Sequence, residues 1–207
     1  MLLRILSLGV AAVFAATFVC AQPVIDTSLF PQPTQVLLAD LTGDGQDDKL
    51  QIFPLNERFD VLSFSTGSGS RFWDNAAIIL PINLSDWDSL EQLPNGNIAI
   101  HWGCLACGRT HSHFSITIRY TDYHLQVIGY DVTYADRLYA AVFTCSVNFL
   151  NGRAILQAVE VEKLELRSTQ TPVALTQFDF DKQPTACEGL KRYDDAFLDE
   201  HYPQPEG

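Results

Sequence analysis

The chain has 207 residues, with 13 Lys and Arg set against 25 Asp and Glu, a formal net charge of −12. That balance argues against nucleic acid or an anionic membrane surface as partner and favours metal ions and cationic proteins, besides keeping the chain soluble.

Arg4 precedes an apolar stretch from Ile5 to Val19, followed by Val19-Cys20-Ala21 and then Gln22. This is the layout of a secretory signal peptide over residues 1–21, cleaved after Ala21. A membrane anchor needs about 20 apolar residues, more than this stretch supplies. Lipidation of Cys20 calls for a small residue before it and a leucine-like residue three before it. Val19 and Thr17 stand there, so lipid anchoring is not expected. Arg4 is the only charged residue of the leader, so the expected periplasmic form carries −13. One β-rich domain is expected over 22–202, with a loose Pro-rich tail over 203–207.

Short alternating or β-branched runs broken by turn residues dominate the chain beyond the leader. The first predicted strand is Gln35 to Ala39. It leads into Asp40-Leu-Thr42-Gly-Asp44-Gly45-Gln46-Asp47-Asp48, which has the spacing of a calcium loop. Oxygens from positions 1, 3, 5 and 9 and a position-7 carbonyl converge when Gly makes the turn at position 6. The expected ligands of Ca2+ are therefore Asp40, Thr42, Asp44, the carbonyl of Gln46, and Asp48. Gln51 stands where a helix-flanked EF-hand loop would end in Glu, so the loop is predicted to lie between strands, with a structural ion. Strands are predicted next at Lys49 to Pro54, Asp60 to Ser65 and Ala76 to Ile82, with a Ser/Gly loop at Thr66 to Phe72 between the last two.

Further strands are predicted at Asn97 to Trp102, His113 to Tyr120, His124 to Asp131, Ala140 to Phe149, Arg153 to Val161 and Lys163 to Arg167. Asn95-Gly96 and Asn151-Gly152 mark hairpin corners, expected as type I′ turns. A third hairpin turns at Thr121-Asp122-Tyr123, with Phe114, Ile116, Ile118 and Tyr120 sharing one face. Only Tyr193 to His201 reads as helical. The expected class is all-β, with antiparallel hairpins in a propeller-like or sandwich arrangement.

Cys104, Cys107, Cys145 and Cys187 remain after cleavage, and in an exported chain they are expected to form disulfides. Three pairings are possible; Cys104 with Cys107 and Cys145 with Cys187 is the one we expect. The Cys104-Leu-Ala-Cys107 spacing also suits zinc or redox chemistry, but no helix follows it. His101, His111 and His113 come near one another across a predicted hairpin, so a transition-metal site is an alternative to three partly exposed histidines. No nucleophile elbow, phosphate loop or zinc-protease motif occurs. Asp86 and Asp88 would act as a carboxylate pair only if they faced each other across a cleft. Catalysis is not expected.

Asp40 to Asp48, Val127-Ile128-Gly129-Tyr130-Asp131, Asp136-Arg137 and Asn148-Phe149-Leu150-Asn151-Gly152 together resemble a family of bacterial periplasmic proteins over roughly residues 36 to 155. Its best-understood members look like immunity proteins of the bacterial-killing type IV secretion system, which inhibit lysozyme-like toxins. The resemblance implies a propeller-like β fold with calcium in the acidic loop and a peptidoglycan hydrolase effector as partner. Known immunity members are lipoproteins, unlike the expectation at Cys20. The loop with Ser68, Ser70 and Arg71 also looks like those with which periplasmic lysozyme inhibitors plug a catalytic cleft, its cation meeting the enzyme's carboxylates. The alternative is an envelope binding module for glycan or protein, with Trp73, Trp87 and Trp102 as an exposed sugar platform.

Overall fold

The computed structural model describes residues 30–57, 59–67, 76–80, 89–104, 108–122 and 124–202. The expected signal peptide, Ser68, Ser70, Arg71, Trp73, Asp86, Trp87, Asp88, Cys107 and the 203–207 tail lie outside them.

The protein is all-β. A four-stranded antiparallel meander runs through β1 (Gln35–Ala39), β2 (Asp48–Pro54), β3 (Asp60–Ser65) and β4 (Ala76–Leu80). The second, eight-stranded sheet holds β5 (Leu90–Gln92), β6 (Ile98–Cys104), β7 (Thr110–Thr121), β8 (His124–Asp136), β9 (Ala141–Asn148), β10 (Arg153–Ala158) and β11 (Glu162–Arg167) in sequence order, with β12 (Val173–Ala174) added to β8. Each neighbour in the two meanders is the next strand in the chain. After β12 come short 3₁₀ turns at Leu175–Gln177 and Thr185–Arg192 and a helix, α1 (Asp195–His201). Among the described residues no helix is long and apolar enough to cross a membrane.

The sheets form a sandwich rather than a ring of blades. Their inner faces share one core, in which Leu50, Ile52 and Leu62 of the small sheet meet Ile98, Ile116 and Ile118 of the large one, all excluded from solvent. The Phe64 ring meets Tyr120 across the layers at 5.3 Å. The large sheet is too long for its partner to cover. Its other half is roofed by the C-terminal segment, with Phe178 on Tyr130, Phe180 on Trp102 and Tyr193 stacked on Phe143 at 4.8 Å. A disulfide between Cys145 and Cys187 fastens this strap to β9, as expected.

Period-two alternation carries most of the large sheet. In β9, Ala141, Phe143, Cys145 and Val147 point inward and the residues between them outward, the pattern of a half-buried strand. β8 departs from it. Leu125 and Val127 are buried, then Tyr130 and Val132, so the inward phase changes from odd to even positions. A bulge opposite Thr117 and Ile118 absorbs the extra residue. Without it Tyr130 and Val132 would face solvent. Phe149 donates its N–H to the Ile128 carbonyl at 2.9 Å, so the Asn148–Gly152 turn docks on the bulge. The two most specific segments of the family resemblance are thus one structural unit.

The Asn-Gly corners are hairpin turns, but not type I′. Gly96 and Gly152 take positive φ, +81° and +68°, while Asn95 and Asn151 do not. Pro94 precedes Asn95, and Gly96 donates to the Leu93 carbonyl at 2.9 Å; the loops are longer than two residues, and the glycine alone takes the left-handed position. Gly152 is further constrained, because a Cβ there would lie 2.7 Å from the Ser168 carbonyl oxygen, whereas one at Gly96 would meet nothing within 4 Å. Gly152→Ala should therefore lower stability by about 1–3 kcal/mol and Gly96→Ala by about 1 kcal/mol. Urea midpoints at unchanged slope measure the difference, and equal losses would show that the Ser168 contact is immaterial.

Candidate functional site

The acidic loop joins β1 to β2 and is wound by its own carboxylates. Asp40 accepts N–H bonds from Gly43 at 2.7 Å, Asp44 at 3.1 Å and Gly45 at 2.9 Å. Asp44 accepts from Gln46 at 2.9 Å. Gly43 and Gly45 take φ of +76° and +83°, which only glycine adopts at little cost. Asp40, Asp44 and Gln46 are exposed, as a cation site would need.

Asp48 does something else. Fully buried, it accepts N–H bonds from Leu41 at 2.7 Å, Thr42 at 2.8 Å and Gly67 at 3.0 Å, with the Thr42 hydroxyl at 3.5 Å. These bonds occupy most of a carboxylate's acceptor capacity, so in this arrangement Asp48 is an anchor. The anchor has reach: Gly67 ends the described part of the β3 side and immediately precedes Ser68. The acidic loop and the base of the expected inhibitory loop are therefore held to one carboxylate. The loop suits a hard cation in backbone winding and oxygen donors. Among the described residues, however, no three Asp, Glu, His or Cys side chains converge around a point that a metal ion would fill.

Comparison of the chain with protein-family models, curated proteins and solved structures returns no match. The resemblance therefore rests on the quoted residues alone.

The histidines fall on the outer face of the large sheet. His101 and His113 stack at 5.3 Å between ring centroids, and His101 Nε2 meets Glu91 at 3.1 Å. Strand register sets Asp131 opposite Ser115 on one side and Ser146 on the other. His111 shares this face by strand parity but makes no contact with the pair that the structure records. Although Asp131 keeps part of its surface in solvent, desolvation by these neighbours pushes its carboxyl above its ordinary 3.8, against the opposing pull of Ser146, His101 and His113. Burial and His101 lower His113 from 6.5, with Asp131 opposing.

Cys104 is also disulfide-bonded. Trp102 overturns one expectation: it is 8% exposed, because position 102 falls on the inward phase of β6, where it stacks on Phe114 at 5.5 Å. It offers no sugar platform. Sequence reasoning missed the bridge that ties β8 to the tail, in which Arg109 donates from Nε to Asp136 at 2.6 Å and from Nη2 to Asp195 at 2.9 Å. Its members lie up to 86 residues apart, and no local pattern joins them.

A carboxyl raised in the fold holds its proton more tightly than in the unfolded chain. Its contribution is complete below the ordinary value and is lost as pH rises through the raised one. His113, lowered, runs the other way, so that stability falls as pH drops below 6.5. Asp131→Asn should therefore raise the melting temperature at about pH 7 and leave it unchanged below 3.8, where the wild-type carboxyl is itself protonated. Thermal melts across this range test it, and an unaltered pH profile would contradict it.

Proposed function

We propose that the mature chain is a periplasmic immunity or inhibitor protein, stabilised by calcium, that binds a lysozyme-like peptidoglycan hydrolase and is not itself an enzyme. The observation that carries the reading is the attachment of Gly67 to the acidic loop through Asp48. It couples the base of the segment with Ser68, Ser70 and Arg71 to the loop where calcium would bind through Asp40, Thr42, Asp44 and Gln46, with Asp48 as the anchor between them. Calcium here supplies positive charge that holds oxygens together. The chain's own residues do the rest: Asp48 fixes the base of the loop, and Arg71 would meet catalytic carboxylates in the target's cleft. The excess of acidic residues would steer the protein towards a cationic enzyme, an effect that salt weakens.

The test is inhibition of lysozyme-like hydrolases by the mature protein, with calcium and with chelator. Inhibition that needs Arg71, so that Arg71→Ala weakens it by about tenfold or more, supports the reading. Absence of binding to every such hydrolase at micromolar concentration contradicts it.

The calcium claim has its own measurement. At about 100 times its dissociation constant the ion should stabilise the fold by about 2.7 kcal/mol, roughly 5–10 °C in melting temperature. Asp40→Asn with Asp44→Asn should abolish that rise. A melting temperature indifferent to calcium would remove the ion from the account and leave the inhibitor reading to the assay above.

A further inference from the structure

Between the strap and the inner face of the large sheet lies an open cleft of about 1030 Å³. That is the size of a small-ligand site, at the other sheet from the acidic loop and not needed by the inhibitor reading.

Its chemistry narrows the ligand. Five carboxylates and three cations line it, and two of the cations are already matched to acids. Arg109 is held by Asp136 and Asp195, and Lys182 by Asp179 at 2.8 Å. The third, Lys191, lies on the 3₁₀ turn Thr185–Arg192 together with Glu188. Asp181 adds a further negative charge, so the acids outnumber the cations and a phosphate or carboxylate ligand would meet net repulsion. A lipid chain fits no better, because charged side chains and three glutamine amides are among the groups that line it.

What the cleft offers is neutral hydrogen bonding beside ring faces. Gln170, Gln177 and Gln183 line it together with Tyr134 and Phe178. Each amide both donates and accepts, as a sugar hydroxyl or acetamido group does. Gln183 donates to the Tyr134 hydroxyl, which holds the tyrosine beside the amides. The half-buried rings of Tyr134 and Phe178 present the apolar surface against which the C–H face of a pyranose packs.

We propose that this cleft binds a neutral oligosaccharide. The site lies on the strap and so owes nothing to Ser68, Ser70, Arg71 or the acidic loop.

The experiment is calorimetric titration of the oxidised mature protein with tri-N-acetylchitotriose and with cellotriose, with trilysine as a third titrant. At least one sugar should bind. Gln177→Ala, an exposed position, should weaken it by about tenfold without moving the melting temperature, and Tyr134→Phe, which keeps the ring, should weaken it similarly. Silence with both sugars, sugar binding indifferent to both substitutions, or binding of trilysine alone would each overturn the proposal. No hydrolase enters the measurement, so its failure and that of the inhibitor reading are read separately.

Discussion

Cys145 sits mid-strand on the inward face of β9, Cys187 sits on a 3₁₀ turn 42 residues later, and both sulfurs are sealed from solvent in the core they join. Closing a loop of that length removes about 4 kcal/mol of chain entropy from the unfolded state. The consequence reaches beyond stability. The segment after β12 has only short 3₁₀ turns and the seven residues of α1, too little regular structure to hold itself in place. Pinned at Cys187, it lays Phe178, Phe180 and Tyr193 over the half of the large sheet that the small sheet leaves open. Arg109, Tyr139 and the Val159 carbonyl then bind Asp195, Asp199 and the Tyr202 hydroxyl. The crosslink is compatible with an oxidising compartment.

Much of this fold is legible in the chain, for a physical reason. The run from Gln35 to Ala39 alternates as a strand buried on one face does, the run from Asp60 to Ser65 is buried almost throughout, and both occupy the residues expected of them. The ends of β7 and β8 are not legible: they extend to Thr110 and Asp136 because each pairs with a long neighbour, which is tertiary context. The bulge at Ile128 is hidden because two adjacent apolar residues look alike on either phase. Trp102 escapes for a related reason: an aromatic near a cysteine loop gives no sign of its phase until the strand is set against Phe114. The 3₁₀ turns carry no periodicity to read, and the cleft they roof is assembled from β7, β8 and the tail.

The acidic loop divides in the same way. Its glycines and carboxylates announce a tight, oxygen-rich turn, and the structure has one. The role of Asp48 depends on Gly67, 19 residues away, and no spacing rule couples them. That coupling is one of two features the fold sets apart. At the small sheet a carboxylate-wound loop steadies the chain entering the Ser/Gly segment. Across the large sheet a disulfide-held strap frames the cleft.

One crosslink orders the strap and, through it, the cleft. Amide hydrogen exchange across residues 175–198, compared between the oxidised protein and a Cys145→Ala/Cys187→Ala variant, tests it most directly. The account predicts that the amides of Cys187, Tyr193 and Leu198, protected in the oxidised protein, lose protection in the variant while those of β7 to β9 keep theirs. Equal protection of the strap in both proteins would contradict it, and would mean that the aromatic contacts alone hold the C-terminal segment down.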